Sequence, residues 1–378
     1  MKKIIRRTAI LLALTLLATT LLAGCGEKKT QSLGTLNVSY PTGNIRVTVN
    51  ILALQKGYFA EEGVTVNPVA VGGNDALTAI NEDNGNLDIL TAGFVADVQA
   101  IGAGYELSFI AGTAVEGGAV IAKKGNAANY KGTDKPIDVA KVASAKLGHS
   151  RNEAAWIITR QYLIDNGVAA DTVAALEKEE GGQTLYYADA TATAQAVQKG
   201  EIDLGFLPME YALLYADAYD LEVVAAAGDL SPDYVCCREV TSKKRLADKF
   251  DVFVAYEKAR IRAFEYYKKG ETDAKIREEV VKIVAEYSGK EKDYVDTYLY
   301  GGVTKFAVDP NTTGIRDYVK AANNSGVFTG NAVDFGTYDI GQNVDTSAYK
   351  KALDELIKSD SSNTFYKSLL TTYEAANK

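Results

Sequence analysis

A five-residue phrase occurs twice in this chain, 115 residues apart: Gly85-Asn86-Leu87-Asp88-Ile89 and Gly200-Glu201-Ile202-Asp203-Leu204. Each copy follows a helical pattern rich in alanine and small residues, at 75–82 and 190–199. Each then leads through a turn into another helix, at 94–101 and 209–215. Pro208 suits the first turn of the last of these. Matching flanks make the phrase part of a repeated architectural unit, so two similar α/β halves are expected.

Runs 36–40, 64–71 and 87–90 read as strands. Residues 44–56 read as a helix with Ile45, Val49, Leu52 and Ala53 on one face and a stop at Gly57. Strands separated by helices build βαβ units and a mainly parallel sheet. Past residue 270 the chain is charged and helical, at 273–287 and 345–358, with glycine and asparagine loops over 322–342. Two such halves turn strand carboxyl ends and helix amino ends onto one cleft, where free N–H groups suit anions or polar oxygens.

Composition narrows the function. The 378 residues, 47% apolar and 24% charged, match average globular usage and leave room for two or three domains. With 49 acidic against 41 basic side chains, a nucleic-acid partner is not expected, because phosphate neutralisation needs a basic surface. His149 is the single histidine, so no site can use two imidazoles. Gly148-His149-Ser150-Arg151-Asn152 is similar to a nucleophile elbow, but Asn152 replaces its second glycine. The sole imidazole also adjoins the serine instead of arriving from a distant segment, which excludes a Ser-His-Asp hydrolase. No Gly-x-x-x-x-Gly-Lys-Ser/Thr run is present to bind ATP. Asp88 and Asp203 read as structural members of the repeat; a surface enzyme using carboxylates on polysaccharide is the alternative from another class. No catalytic residue, cofactor or metal site is expected.

At the amino terminus Lys2, Lys3, Arg6 and Arg7 precede an apolar stretch over 8–22 that ends in Leu22-Ala23-Gly24-Cys25. This is a secretory signal over 1–24, too short and too interrupted by threonine to span a membrane, which takes about 20 apolar residues. The cysteine after Leu-Ala-Gly resembles a bacterial lipobox, which implies cleavage before Cys25 and a diacylglyceryl group on its sulfur. Acyl chains contribute about 0.8 kcal/mol per buried methylene, enough in combination to hold a protein at a membrane. Removing 1–24 takes away four basic and no acidic residues, so the formal charge falls from −8 to −12. Residues 25–34 are polar and read as a tether. The body is expected outside the cytoplasm, lipid-anchored to the cell membrane, acting on something that arrives from outside.

Three segments together carry a family resemblance: Leu54-Gln55-Lys56-Gly57-Tyr58-Phe59-Ala60-Glu61-Glu62-Gly63-Val64-Thr65-Val66, the two Asp-containing turns, and Pro232-Asp233-Tyr234-Val235-Cys236-Cys237-Arg238. They resemble the solute-binding proteins of bacterial ABC importers, in the nitrate, sulfonate, taurine and thiamine-precursor group. The resemblance covers 35–300 and, more loosely, the remainder. It implies a two-lobed α/β fold of the type II periplasmic-binding kind, each lobe a mainly parallel sheet flanked by helices, with a cleft between. Lobe one would be 35–115 plus 236–378, and lobe two the inserted 116–235. It also implies a monomer that captures a small solute without turnover and delivers it to an ABC permease driven by a separate ATPase.

Candidate ligand residues follow from the positions that match. The loop after the first strand offers Tyr40, Asn44 and the planar fork of Arg46, suited to carboxylate or sulfonate; the alternative is a helix cap and a solvated arginine. Gly93 and Phe94 end the third strand, with backbone N–H groups aimed at the cleft; the alternative is that Gly93 serves only the turn. Glu116, in a crossover, receives a ligand ammonium or is a surface charge. Ser150 and Glu153 read as a capping box, which leaves other N–H groups free for a ligand, and Arg151 adds positive charge there. His149 reads as an exposed loop residue. Asp189 is a helix cap or a contact. Glu210 stands where many relatives carry Glu-Pro, here Glu-Tyr, and suits an amine. Arg46 and Arg151 favour an anion, Glu116 and Glu210 an added amine as in taurine-like zwitterions, and Tyr40 with Phe94 a flat pyrimidine. Adjacent Cys236 and Cys237 read as two buried thiols or a vicinal disulfide.

Overall fold

The computed structural model describes residues 31–82, 86–177 and 182–378. The signal segment, Cys25 and Gly85 lie outside the described residues. The strands are β1 (Gly34–Ser39), β2 (Val64–Val69), β3 (Leu90–Gly93), β4 (Leu107–Gly112), β5 (Ala114–Val115), β6 (Gly118–Lys123), β7 (Leu147–Ser150), β8 (Thr184–Tyr187), β9 (Leu204–Pro208), β10 (Leu221–Ala226), β11 (Cys237–Ser242) and β12 (Lys305–Phe306).

Leu36 and Val38, alternate residues of β1, are fully buried, and the strand lies parallel to β2 along its whole length. Val38 also bridges Ile89, just before β3. From far along the chain β11 inserts antiparallel to both β3 and β4. The resulting order is β2-β1-β3-β11-β4. A second sheet has the order β10-β6-β9-β7-β8, with β7, β8 and β9 mutually parallel and β6 antiparallel to β9 and β10. Both sheets are therefore mixed: βαβ units supply the parallel strands, and the strand by which the chain enters each sheet from the other, β6 or β11, runs against them.

The chain leaves the first sheet after β4 and enters the second at β6. It returns through 230–236 to β11. The two passages touch where Val115 bridges Val235, and β5 is paired with β12 beside them. Apolar residues pack both sheets against helices, as where Trp156 meets Phe206 at 4.7 Å in the second.

The repeated phrase folds twice into one hydrogen-bonded clasp. The N–H groups of Asp88 and Ile89 both donate to Asn37 O, at 2.8 and 3.1 Å, while Asp88 Oδ2 accepts from Asn37 N at 2.9 Å. In the second sheet Asp203 and Leu204 donate to Lys146 O at 2.8 and 3.1 Å, and Asp203 Oδ2 accepts from Lys146 N at 2.8 Å. Each aspartate thus joins the chain entering one strand to the edge of its neighbour.

Some boundaries differ from the sequence reading. The helix expected over 44–56 is Thr48–Gln55, because Gly43 has a φ of 71° and Asn44 Oδ1 accepts from Arg46 N at 2.8 Å, which holds the preceding residues in a loop. The strand expected over 87–90 is β3, shifted to Leu90–Gly93. The expected capping box does not form. Ser150 still belongs to β7, Asn152 turns the chain at a φ of 64°, and the helix Ala154–Asp165 is capped by Glu153 itself. His149 is not an exposed loop residue but a strand residue only 2% exposed, its Nε2 3.3 Å from a Glu177 carboxylate oxygen.

Candidate functional site

Between the sheets lie two adjoining hollows, of about 310 and about 1110 Å³, that share Arg46, Gly73 and Tyr211. Arg46 comes from the loop after β1 and Glu210 from the first turn of the helix Met209–Tyr215, after β9. Arg46 Nη2 lies 3.3 Å from Glu210 Oε1, so a cation from the first sheet meets a carboxylate from the second. Tyr294 O–H donates to the Glu210 carbonyl at 2.9 Å, tying the helix Lys292–Tyr300 to the same spot.

Two helices begin at the smaller hollow. Gly73–Asn81 and Phe94–Gly102 start after Gly72 and Gly93, and neither receives a side-chain cap. Uncapped helix starts attract anions through their N–H groups and dipole. Asn44 and Lys290 also line this hollow. The larger one is lined by Ser150, Arg151, Glu153, Asp189 and several tyrosines. Arg151 stands over the Tyr186 ring at 4.6 Å. Asp189 caps the helix Ala190–Lys199, accepting from Ala192 N at 2.8 Å, and also lines the hollow. Burial pushes the Glu153 carboxyl up to about 7, against one weak hydrogen bond from Ala155 N at 3.3 Å.

Three candidates are placed elsewhere. Phe94 is 1% exposed, its ring packed 5.0 Å from Phe109 and 5.3 Å from Tyr318, because the first residue of its helix turns into the core. Tyr40 is buried against Tyr287. Glu116 has a φ of 60° in the first passage, pairs with Lys305 at 2.9 Å and accepts from Asp233 N, so its charge serves the passages between the sheets.

Other cleft residues escaped the sequence reading. Tyr186 and Tyr187 end β8 and were within reach of the strand-end rule. Lys290 and Tyr294 arrive from the helical tail with no local signal, and Tyr211 and Tyr215 read as ordinary amphipathic helix positions. The two hollows bring Arg46, Arg151 and Lys290 together with Glu153, Asp189 and Glu210. A separate hollow of about 700 Å³ is bounded by Asp165, Asp233 and Asp317 and has no basic side chain, so it lacks this pairing.

No family model matches the sequence, and no curated protein matches it. Solved structures match in three dimensions. The periplasmic nitrate-binding protein NrtA of Synechocystis is 14% identical, with 88% of this chain and 90% of that one covered at a TM-score of 0.64. A zinc-bound ligand-binding component of an ABC-type import system from Staphylococcus aureus is 14% identical, with 84% and 99% covered at 0.61. The alkanesulfonate-binding protein SsuA of Xanthomonas axonopodis, bound to MOPS, is 14% identical, with 83% and 98% covered at 0.59. The chain therefore has the periplasmic-binding-protein fold. These similar structures are substrate-binding proteins of the import group that the 54–66 segment resembles.

Proposed function

We propose that this chain is the solute-binding lipoprotein of an ABC importer. Residues 35–115 plus 236–378 form one lobe and 116–235 the other. Cys25 carries the lipid that holds the protein at the outer face of the cell membrane. A small anionic or zwitterionic solute, nitrate-, sulfonate- or taurine-like, enters the open cleft as a monomeric receptor waits at the membrane. The lobes close on it, and the closed form docks on the permease, whose ATPase supplies the energy; the receptor itself performs no chemistry.

The Arg46–Glu210 contact carries this reading. It spans the cleft between uncapped helix starts, and a zwitterion replaces it with two contacts: its anion against Arg46 and the helix N–H groups, its ammonium against Glu210. A second reading, a flat heteroaromatic such as a thiamine pyrimidine precursor, is favoured by the tyrosines 186, 187, 211 and 294 around the same space.

The test is a thermal-shift screen of nitrate, sulfonates, taurine and pyrimidines, with each compound assayed afterwards for loss. Ligand at a hundredfold excess over Kd stabilises the fold by about 2.7 kcal/mol. No shift across the panel, or consumption of a compound, would overturn the proposal.

A further inference from the structure

We infer that Cys237 and Cys236 form a thiol–disulfide exchange site beneath the cleft, with Cys237 the attacking thiolate, Cys236 the resolving thiol and a low-molecular-weight disulfide the oxidant.

Both cysteines are free, and their Sγ atoms are 3.7 Å apart. Cys237 Sγ lies 3.8 Å from Arg46 Nη1, the same guanidinium that reaches Glu210 across the cleft. A hydrogen bond from Cys236 and the charge of Arg46 bring the Cys237 thiol down to about 7 in spite of its burial. Cys236 is pushed well up, chiefly by holding that hydrogen bond. The pair is thus asymmetric, with a ready nucleophile beside a thiol that keeps its proton, which is the arrangement exchange chemistry requires.

The two residues sit where the passages between the sheets meet. Cys237 opens β11 opposite Gly93, Cys236 O accepts from Phe94 N at 3.2 Å, and a Cβ on Gly117 would come within 3.2 Å of Cys236 Sγ. Arg46 lies on the cleft side of Cys237, and separating Glu210 from Arg46 opens that side while the guanidinium stays beside the sulfur. Reaction belongs to the open state.

The step balances without any other reactant. The Cys237 thiolate attacks one sulfur of the disulfide, forms a mixed disulfide and releases one thiolate. Cys236 then gives its proton to that thiolate, attacks Cys237 Sγ and expels the second. Two protein thiols are oxidised to one disulfide, and the small disulfide is reduced to two thiols. Oxidation removes the negative sulfur facing Arg46 and draws together two residues that pair with Gly93 and Phe94, so the redox state of the pair reaches the cleft cation and the passage at once. This inference does not depend on the solute.

The full chain is incubated with glutathione disulfide, alkylated and digested with trypsin, and the peptide ending at Arg238 is weighed, which separates this pair from Cys25. The wild-type peptide is expected to lose two hydrogen atoms, escape alkylation and return to the dithiol form with dithiothreitol. Cys236→Ser should accumulate a glutathione adduct on Cys237, whereas Cys237→Ser should react at least about tenfold more slowly. Arg46→Lys should stay close to wild type and Arg46→Gln should slow the reaction. Wild-type peptide that remains fully alkylatable overturns the inference without recourse to any variant. Equal rates for the two serine variants overturn the assigned roles.

Discussion

Gln99 and Asn152 hold each other across the cleft by a reciprocal amide pair: Gln99 Nε2 donates to Asn152 Oδ1 at 3.1 Å, and Asn152 Nδ2 donates to Gln99 Oε1 at 2.9 Å. Gln99 stands on the helix after β3 and Asn152 in the turn after β7, so the pair exists only while the two sheets' cleft edges are close. Each such bond has a net worth of about 0.5–1.5 kcal/mol. Replacing both residues by alanine is expected to shift the unliganded protein toward an open form by about 1–3 kcal/mol. Small-angle scattering should report a larger radius of gyration with little change in the melting midpoint; an unchanged scattering curve would mean that the pair does not hold the cleft.

Glu210→Gln keeps the shape of the Arg46 partner and removes its charge. A purely anionic solute is then expected to bind more tightly, because the guanidinium no longer has a competing carboxylate, and an amine-bearing solute more weakly. Arg46→Ala should weaken either anion-bearing kind by about 10- to 100-fold, or roughly 1.4–2.8 kcal/mol. Calorimetry on both variants separates these outcomes. Equal losses for all solutes in Glu210→Gln would place the carboxylate in the fold rather than in recognition.

Asp88 and Asp203 perform the same clasp in different surroundings. Asp88 is 1% exposed and its Oδ1 also accepts from Lys249 Nζ at 2.7 Å, whereas Asp203 is exposed. Asp88→Ala is expected to cost about 2–3 kcal/mol and Asp203→Ala about 1 kcal/mol, read from urea denaturation. Equal costs would show that burial of the first clasp adds nothing.

That clasp also marks what the sequence made legible. A strand entering beside its neighbour needs one short acceptor at a fixed step, so the same phrase recurs wherever the geometry does, and both halves of the molecule could be read from it. The helices 190–199 and 209–215 stand where their periodicity placed them. The insertion of β11 between β3 and β4 left no local trace, because its partners lie about 130–150 residues back and any β-rich run satisfies the pattern. Side-chain direction was equally hidden: Phe94 and Gly93 are neighbours, yet one packs in the core and the other lines the cleft. The Ser150–Glu153 spacing fits a capping box, but the pattern cannot tell that β7 runs on to Ser150.

Glu153 offers the sharpest probe of the ligand's charge. Its carboxyl stands at about 7 in the folded protein against 4.5 without the fold, so the native state holds the proton more tightly. The stability it contributes is full below about pH 4.5 and is lost as pH rises through about 7, a difference of up to about 3 kcal/mol. Glu153→Gln should therefore stabilise the protein at about pH 8 and do little at about pH 5. Binding carries the opposite sign for an amine: a cationic nitrogen beside Glu153 favours the carboxylate and releases its proton, so the affinity of a taurine-like zwitterion should rise between about pH 6 and about pH 8. An alkanesulfonate without the amine should bind less tightly over the same interval, because it prefers the neutral acid. Calorimetry on both solutes, in wild type and Glu153→Gln, decides between them. A Kd that ignores pH in the wild type removes Glu153 from the ligand's reach.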